Sequence, residues 1–401
     1  MNKKASGMMK VFPWYHAFEA DLLFYIAIDT LFLTVVKNFS AAQIVSLASV
    51  STIACIVLQV PILGIIRRIG NTASVRCGAF FMLLSAIFIT TGDGYWVIVL
   101  GRLFHDIAVI FKNASVVALE NCLDDVGKRQ DFIKIRTKGT TIYAIITMLI
   151  SFVASLMFNY NHYLPMIGCI TACLIGFVLS FFVTDYTKYN KLHDRKKEKV
   201  PIHYSKFVIL AIGVFGLFYP VVNSGQSDGK LFIQQNLLAE LSVDDTSLVI
   251  GGIVCVSRIV RVVSNMLFAR IYEKQQSKTG MMLTVSLGMS ISFLLFGSFV
   301  PMLFLRICFM AFGYMILLFI RDPFQLYIQD VLFEHTPKEQ HQTLITLMSL
   351  AAKIGTAGTG LVSTLVLLKY SMTVVMAITL FIAVIEIILS VWLYNLVRQR
   401  T

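Results

Sequence analysis

Apolar residues recur along this chain in unbroken blocks of about 20 or more, the length of α-helix that crosses a hydrocarbon layer of about 30 Å. Inside lipid a helix satisfies all its backbone N–H and C=O groups within its own segment. A soluble chain of 401 residues could not hide this surface, because 57% of its residues are hydrophobic and only 14% are charged. Mean hydropathy is +0.78. The fold class that follows is an all-α integral membrane protein.

About twelve spans can be placed, at roughly 16–37, 41–65, 74–91, 95–117, 137–159, 163–184, 205–226, 246–267, 280–298, 301–321, 343–368 and 372–396. Tight hinges such as TTGDG at 90–94 and NYNH at 159–162 separate several of them. The hydrophilic stretch DYTKYNKLHDRKKEKVPIHYSK, 185–206, falls at the midpoint. It divides the chain into an N-terminal bundle of six helices at 1–184, a central loop at 185–204 and a C-terminal bundle of six at 205–401. The interruption at 225–245 reads as outward-facing, although Leu231, Phe232, Leu237 and Leu238 suggest that the seventh span continues as helix into it or ends in an amphipathic turn.

Charge orients the chain. With these spans, about 24 Lys and Arg fall in alternate loops and termini on one side, and about three (Lys37, Lys230 and Lys369) on the other, the bias that assigns the basic side to the cytoplasm. Both termini are then cytoplasmic, and the expected location is the plasma membrane. The net charge of +12 is thereby absorbed and implies no nucleic-acid partner. The start, MNKKASGMMKVFPWYH, is not expected to be a cleaved signal, because no small-residue cleavage site follows the first apolar run.

Some chemistry is excluded. The seven cysteines are scattered, and Cys169 and Cys173, one turn apart, are too few to hold a metal, so all read as small hydrophobes. There is no GxxxxGK[ST], no HExxH and no GxSxG, and no cofactor is expected.

The two halves are weakly alike. LGIIRRIGNTASVR follows the second span and LFARIYEKQQSKTG the eighth, and Arg102 and Arg306 sit near the openings of spans four and ten. With six plus six spans and a basic central loop, the chain resembles the major facilitator superfamily (MFS) over its whole length. The family's loop pattern G-x-L-x-D-R-x-G-R-R is met by Arg68 and Gly70, while Arg67 replaces the acidic residue and Gly64 is one position out of step. Arg102 meets the family's arginine in span four, with Asp106 and Ala108 where glycines are usual. The resemblance implies two bundles rocking about a midplane site, with spans one and eleven near the cavity. It also implies a gating role for Arg67, Arg68, Gly70 and Arg270.

Charged residues inside spans are the site candidates, since each costs roughly 3 kcal/mol on insertion scales at a helix centre. Asp29 lies at the centre of LLFYIAIDTLFLTVV. It is read as a cavity residue binding a cation or proton, or as a structural carboxylate. Lys353 and then Arg258 are the expected partners. In GRLFHDIAVIFKN, Arg102 and Asp106 are one turn apart and can pair, so that a proton arriving at Asp106 would release Arg102; a purely structural pair is the alternative. His105 is titratable but points about 100° from Asp106. Lys112 and Arg261 are placed where they can snorkel, Arg258 is deeper, and Glu386 reads as structural or lipid-facing. Deep bases outnumber Asp29 and Asp106, which favours an anionic or zwitterionic solute.

The expected function is secondary active transport of a small organic solute, with the lipid bilayer as its medium and the proton as the expected coupling ion. Catalysis is not expected. Three alternatives stay open: a flippase or exporter of a lipid-linked or drug-like molecule on another polytopic fold, a polytopic membrane enzyme such as an acyltransferase, and a transporter-like receptor without flux. The orientation has a direct test. Single cysteines at Lys196 and Lys338 are expected to react with an impermeant thiol reagent only from the cytoplasm, and one at Lys230 only from outside; labelling of Lys196 and Lys230 from the same side contradicts the span count.

Overall fold

The computed structural model describes residues 3–185, 205–274, 276–337 and 341–398, and the regular structure in them is helical. In chain order the helices are α1 (Lys3–Phe18), α2 (Tyr25–Leu31), α3 (Ala41–Thr91), α4 (Tyr95–Asp125), α5 (Phe132–Tyr160), α6 (Leu164–Ser180), α7 (Lys206–Leu238), α8 (Val243–Lys274), α9 (Gln276–Gly297), α10 (Leu303–Glu334), α11 (His341–Leu367) and α12 (Met372–Arg398). A π-helical turn, Phe32–Val36, extends α2.

Among the described residues 8 helices are long and apolar enough to cross a membrane: α3, α5 and α7 to α12. Tyr25–Val36 and Leu164–Ser180 are shorter apolar helices. Large apolar side chains such as Val57, Val60, Phe152, Ile209, Phe381 and Ile388 are exposed on these helices, as lipid-facing positions require. The chain is an all-α, multi-pass membrane protein.

Two compact units divide it. The first comprises Met1–Phe39, Val50–Arg195 and Ser247–Cys255; the second comprises Ser40–Ser49, Lys196–Thr246 and Val256–Thr401. In the first unit α1 packs on α4, α5 and α6, and Met8, Phe12 and Tyr15 meet Val75 of α3 and Ala114, Ala118 and Leu119 of α4. In the second unit α7 packs on α10, α11 and α12, while α9 packs on α10 and α12. Phe218 of α7 stacks on Phe324 of α10 with ring centroids 3.6 Å apart.

Several span limits differ from the sequence expectation. The first span, expected as one helix over 16–37, is interrupted between α1 and α2. There Asp21 Oδ1 accepts a hydrogen bond from Leu22 N at 2.8 Å, the local competition by which aspartate ends helices. Phe24 at φ 66 then lies in the left-handed region, rare for a residue with a side chain. α7 continues past 226 to Leu238, the continuation that Leu231, Phe232, Leu237 and Leu238 suggested, and α10 runs beyond the expected end of span ten to Glu334, so 322–334 is helical as well. Lys230 is consequently 6% exposed within α7, which rules it out as an aqueous probe, and the exposed Lys369 takes its place. Lys196, Lys338 and most of the central loop lie outside the described residues.

α3, 51 residues long, is two helices joined across Gly70, whose φ of 80 and ψ of 169 are non-helical. That conformation is essentially open to glycine alone. Just beyond it, Asp185 Oδ2 accepts hydrogen bonds from Asn71 Nδ2 at 2.8 Å and from Asn121 Nδ2 at 2.9 Å. The corner is thus tied to the end of α4 and to the chain leaving α6. Gly70→Ala is expected to cost about 1–3 kcal/mol and lower the thermal midpoint of purified protein. A midpoint equal to wild type would contradict the strain at this corner.

Candidate functional site

The interruption of the first span brings an acidic side chain onto α4. His105 Nε2 lies 3.0 Å from Asp21 Oδ1, and its Nδ1 lies 3.3 Å from Asp106 Oδ1. The imidazole therefore bridges two carboxyl groups, one from the break and one from its own helix. Ser51 of α3 hydrogen-bonds the Asp106 side chain. Asp106 Oδ2 is buried without a hydrogen-bond partner among the described residues.

Counting protons defines what this trio can do. A carboxylate only accepts hydrogen bonds, and a neutral imidazole donates from one nitrogen only. Both contacts of His105 are satisfied together only when the trio carries one proton more than a neutral ring between two carboxylates. That proton resides as imidazolium or as a protonated Asp21 or Asp106. Its loss sets a lone pair of the ring against a lone pair of a carboxylate, and one contact must open.

Arg102, one turn before Asp106, has Tyr25, Asp106, Asp21 and Asp29 as its electrostatic neighbours. The structure thus places His105, rather than Arg102, directly against Asp106, and the side chain expected to point away bends onto its neighbour. Asp29 is partly exposed, and its Oδ1 accepts from Thr30 N at 2.7 Å. Lys112 does not snorkel: its Nζ donates to Ala20 O in the break at 3.1 Å. Asp21, Glu19 and Tyr25 are absent from the sequence candidates because they precede the centre of the apolar run, where a charge is most costly. The signal was available in FEADLL, two acidic residues immediately before it.

The second unit meets its charges differently. Arg261 binds Asp322 with two bonds, Nε to Oδ2 at 2.7 Å and Nη2 to Oδ1 at 2.9 Å, so it is paired within the unit. Arg306 pairs with Glu240 and also donates from Nε to Val300 O at 2.9 Å, at the opening turn of α10. Glu386 is buried and accepts from Ser390 Oγ at 2.7 Å, which makes it an interior residue of the unit. Arg258 Nε is buried without a hydrogen-bond partner among the described residues, and Lys353 is partly buried in α11. Asp29 belongs to the first unit, Arg258 and Lys353 to the second.

Arg321 gives the second unit a polar cluster absent from the sequence candidates. Its Nη1 donates to Gln226 Oε1 at 2.8 Å, its Nη2 to Tyr219 Oη at 3.2 Å, and its guanidinium lies 5.7 Å from the Tyr219 ring centroid. Sequence reading ended spans seven and ten at Gln226 and Arg321, so the pair passed as loop-edge residues. Arg67 and Arg68 are exposed immediately before the Gly70 corner, and the Arg270 side chain lies outside the described residues. Among the described residues no group of three or more His, Cys, Asp or Glu is arranged to hold a metal.

No protein-family model matches the sequence, and no curated protein matches it either. Solved structures do match over nearly the whole length. A mutant of the nucleoside transporter NupG superposes with a TM-score of 0.75 at 10% identity, covering 96% of this chain and 98% of that one. A bacterial homologue of the iron transporter ferroportin, in its inward-facing state, gives 0.74 at 10% identity, covering 97% and 98%. A mutant of the peptide transporter POT gives 0.66 at 12% identity, covering 99% and 94%. The chain has the fold of solved membrane transporters. At such identities the likeness speaks for the backbone path alone.

Proposed function

We propose that this chain is a secondary active transporter of the major facilitator type, coupling proton movement to a small anionic or zwitterionic organic solute. In this reading α1 and α2 together form the first span, the two arms of α3 the second and third, and α4 to α12 the remaining nine. Residues 1–184 and 205–401 form two six-helix bundles joined by the loop 185–204, in the plasma membrane with both termini cytoplasmic. The bundles alternate access to a site near the midplane. The solved structures of similar fold are named for nucleosides, iron and peptides, so the solute class has to come from this chain's own polar residues.

The observation that carries the proposal is His105 held between Asp21 and Asp106. With its extra proton the trio closes α4 onto the break in the first span. Without it, one carboxylate is freed and turns to Arg102, whose electrostatic neighbours include both Asp21 and Asp106. Protonation therefore releases Arg102 to a solute carboxylate, and deprotonation reclaims it. Arg102, His105 and Asp106 act as the coupling group, with Asp29 in the field of the same arginine. Arg258 and Lys353 are the second unit's candidates for the solute pathway. Arg67, Arg68, Gly70 and Arg270 serve the loop that gates the cycle.

The test uses protein reconstituted in vesicles with a panel of radiolabelled organic anions, amino acids and neutral solutes under an imposed pH gradient. The proposal expects accumulation of at least one anionic or zwitterionic solute. Asp106→Asn is expected to abolish accumulation driven by the gradient while leaving solute exchange at zero gradient within a few-fold of wild type. Equal loss of both activities would instead mark Asp106 as structural.

A further inference from the structure

Arg321 of α10 takes the acceptor atoms of two α7 side chains, and this leaves their donors for something else. Its Nη1 donates to Gln226 Oε1 at 2.8 Å and its Nη2 to Tyr219 Oη at 3.2 Å. A guanidinium only donates, so the Gln226 amide must present its oxygen to Arg321 and turn its NH2 away. That nitrogen, Nε2, is buried with no hydrogen-bond partner among the described residues. The Tyr219 hydroxyl likewise spends its oxygen on Arg321, so its own proton points elsewhere. Among the described residues no acceptor takes that proton. A buried donor without an acceptor is costly, and a cluster serving the fold alone gains nothing by keeping one.

The placement of these groups separates them from the apolar packing of the second unit. Tyr219, Asn223 and Gln226 follow one another at steps of four and three, on one face of α7. All three are partly exposed. About 100° around the helix, Phe218 stacks on Phe324 of α10 and Gly225 lies against Leu317 of α10 and Ile291 of α9. Asn223 Nδ2 reaches Thr356 Oγ1 of α11 at 3.4 Å, so the polar face runs between α10 and α11. α7 is long and apolar enough to span the membrane, and donors without acceptors on such a helix are unsuited to lipid. Bonds in a chain polarise one another, so accepting from a cation makes the Gln226 N–H and the Tyr219 O–H stronger donors. Their complement is a group that only accepts and carries negative charge, which describes a carboxylate.

We propose that Gln226 and Tyr219 form a carboxylate-binding subsite, with Arg321 as the positioning residue that turns both donors toward the ligand. The guanidinium acts through the amide and the phenol, whatever else it touches. The place of this subsite on a solute path rests on the transport reading above, whereas the binding itself does not.

The experiment measures thermal stabilisation of purified full-length protein by matched acids and amides: nicotinate and nicotinamide, glutamate and glutamine, lactate and lactamide. A ligand that binds only the folded state raises its apparent stability. At least one carboxylate is expected to raise the midpoint by several degrees, and its amide to bind about tenfold more weakly or worse, the loss of one charge-assisted hydrogen bond. Gln226→Glu keeps an oxygen for Arg321 but sets a second oxygen where the NH2 stood. It is expected to weaken that carboxylate about tenfold or more while its midpoint without ligand stays within a few degrees of wild type. A merely structural Gln226 would leave binding unchanged in this variant. Tyr219→Phe, which removes the hydroxyl, is expected to weaken the same carboxylate and decides the matter if Gln226→Glu yields no folded protein. Stabilisation by none of the three carboxylates overturns the proposal, as does equal stabilisation by acid and amide, or wild-type binding in the variants. Binding that passes these tests without flux in vesicles supports the subsite and counts against the transport reading instead.

Discussion

Charge inside lipid is the constraint on which the first unit is built. Asp21 and Asp106 each bring a carboxyl to a region where uncompensated charge is costly, and the imidazole of His105 meets both. Because one ring spans two acceptors, the number of protons and the shape of the chain are linked. The helix break supplies the geometry: an unbroken first span would carry Asp21 on a continuous helical path, whereas the interruption turns it toward α4. Lys112, bonded to Ala20 O, steadies the same segment from the next turns of α4.

The two units solve one problem in different ways. In the second, Arg261 and Asp322 form a two-pronged pair that needs no exchangeable proton, and Arg306 pairs with Glu240 at a helix end. A guanidinium stays protonated, so such pairs hold their geometry at any ordinary pH. Among the described residues, only the first unit places a titratable ring between two acids. This asymmetry is why the proposal assigns proton coupling to the α1–α2 break and α4 rather than to the Arg321 cluster on α7 and α10.

Much of the architecture was legible because lipid imposes length and apolarity together. The runs now seen as α5, α8, α9, α11 and α12 were located to within several residues, and the turn expected near Arg67–Gly70 is the non-helical corner of α3. Limits failed where polar residues continue a helix inside protein. α7 buries Asp228, Lys230 and Gln234 beyond the expected end of span seven at 226, a stretch whose leucines left continued helix and an amphipathic turn both open. For the site, Arg102, His105 and Asp106 were visible as charges in an apolar helix. Asp21 was not, because its role depends on a backbone break that no periodicity announces. The bend of His105 onto its sequence neighbour escaped for a related reason: helical angle fixes where Cβ points, and two further rotations decide where the ring nitrogens go.

The central claim is that Asp21 and His105 interact through a shared, charge-bearing hydrogen bond that closes the break onto α4. A double-mutant cycle tests it most directly, by measuring the unfolding of purified wild type, Asp21→Asn, His105→Gln and the double variant under one set of conditions. Contacting residues in one network show coupling of about 0.5–3 kcal/mol, and a charged pair belongs in the upper half of that range. The account predicts that the double variant loses less stability than the two single losses added together, by about 1–3 kcal/mol. Single losses that simply add, within about 0.5 kcal/mol, would contradict it.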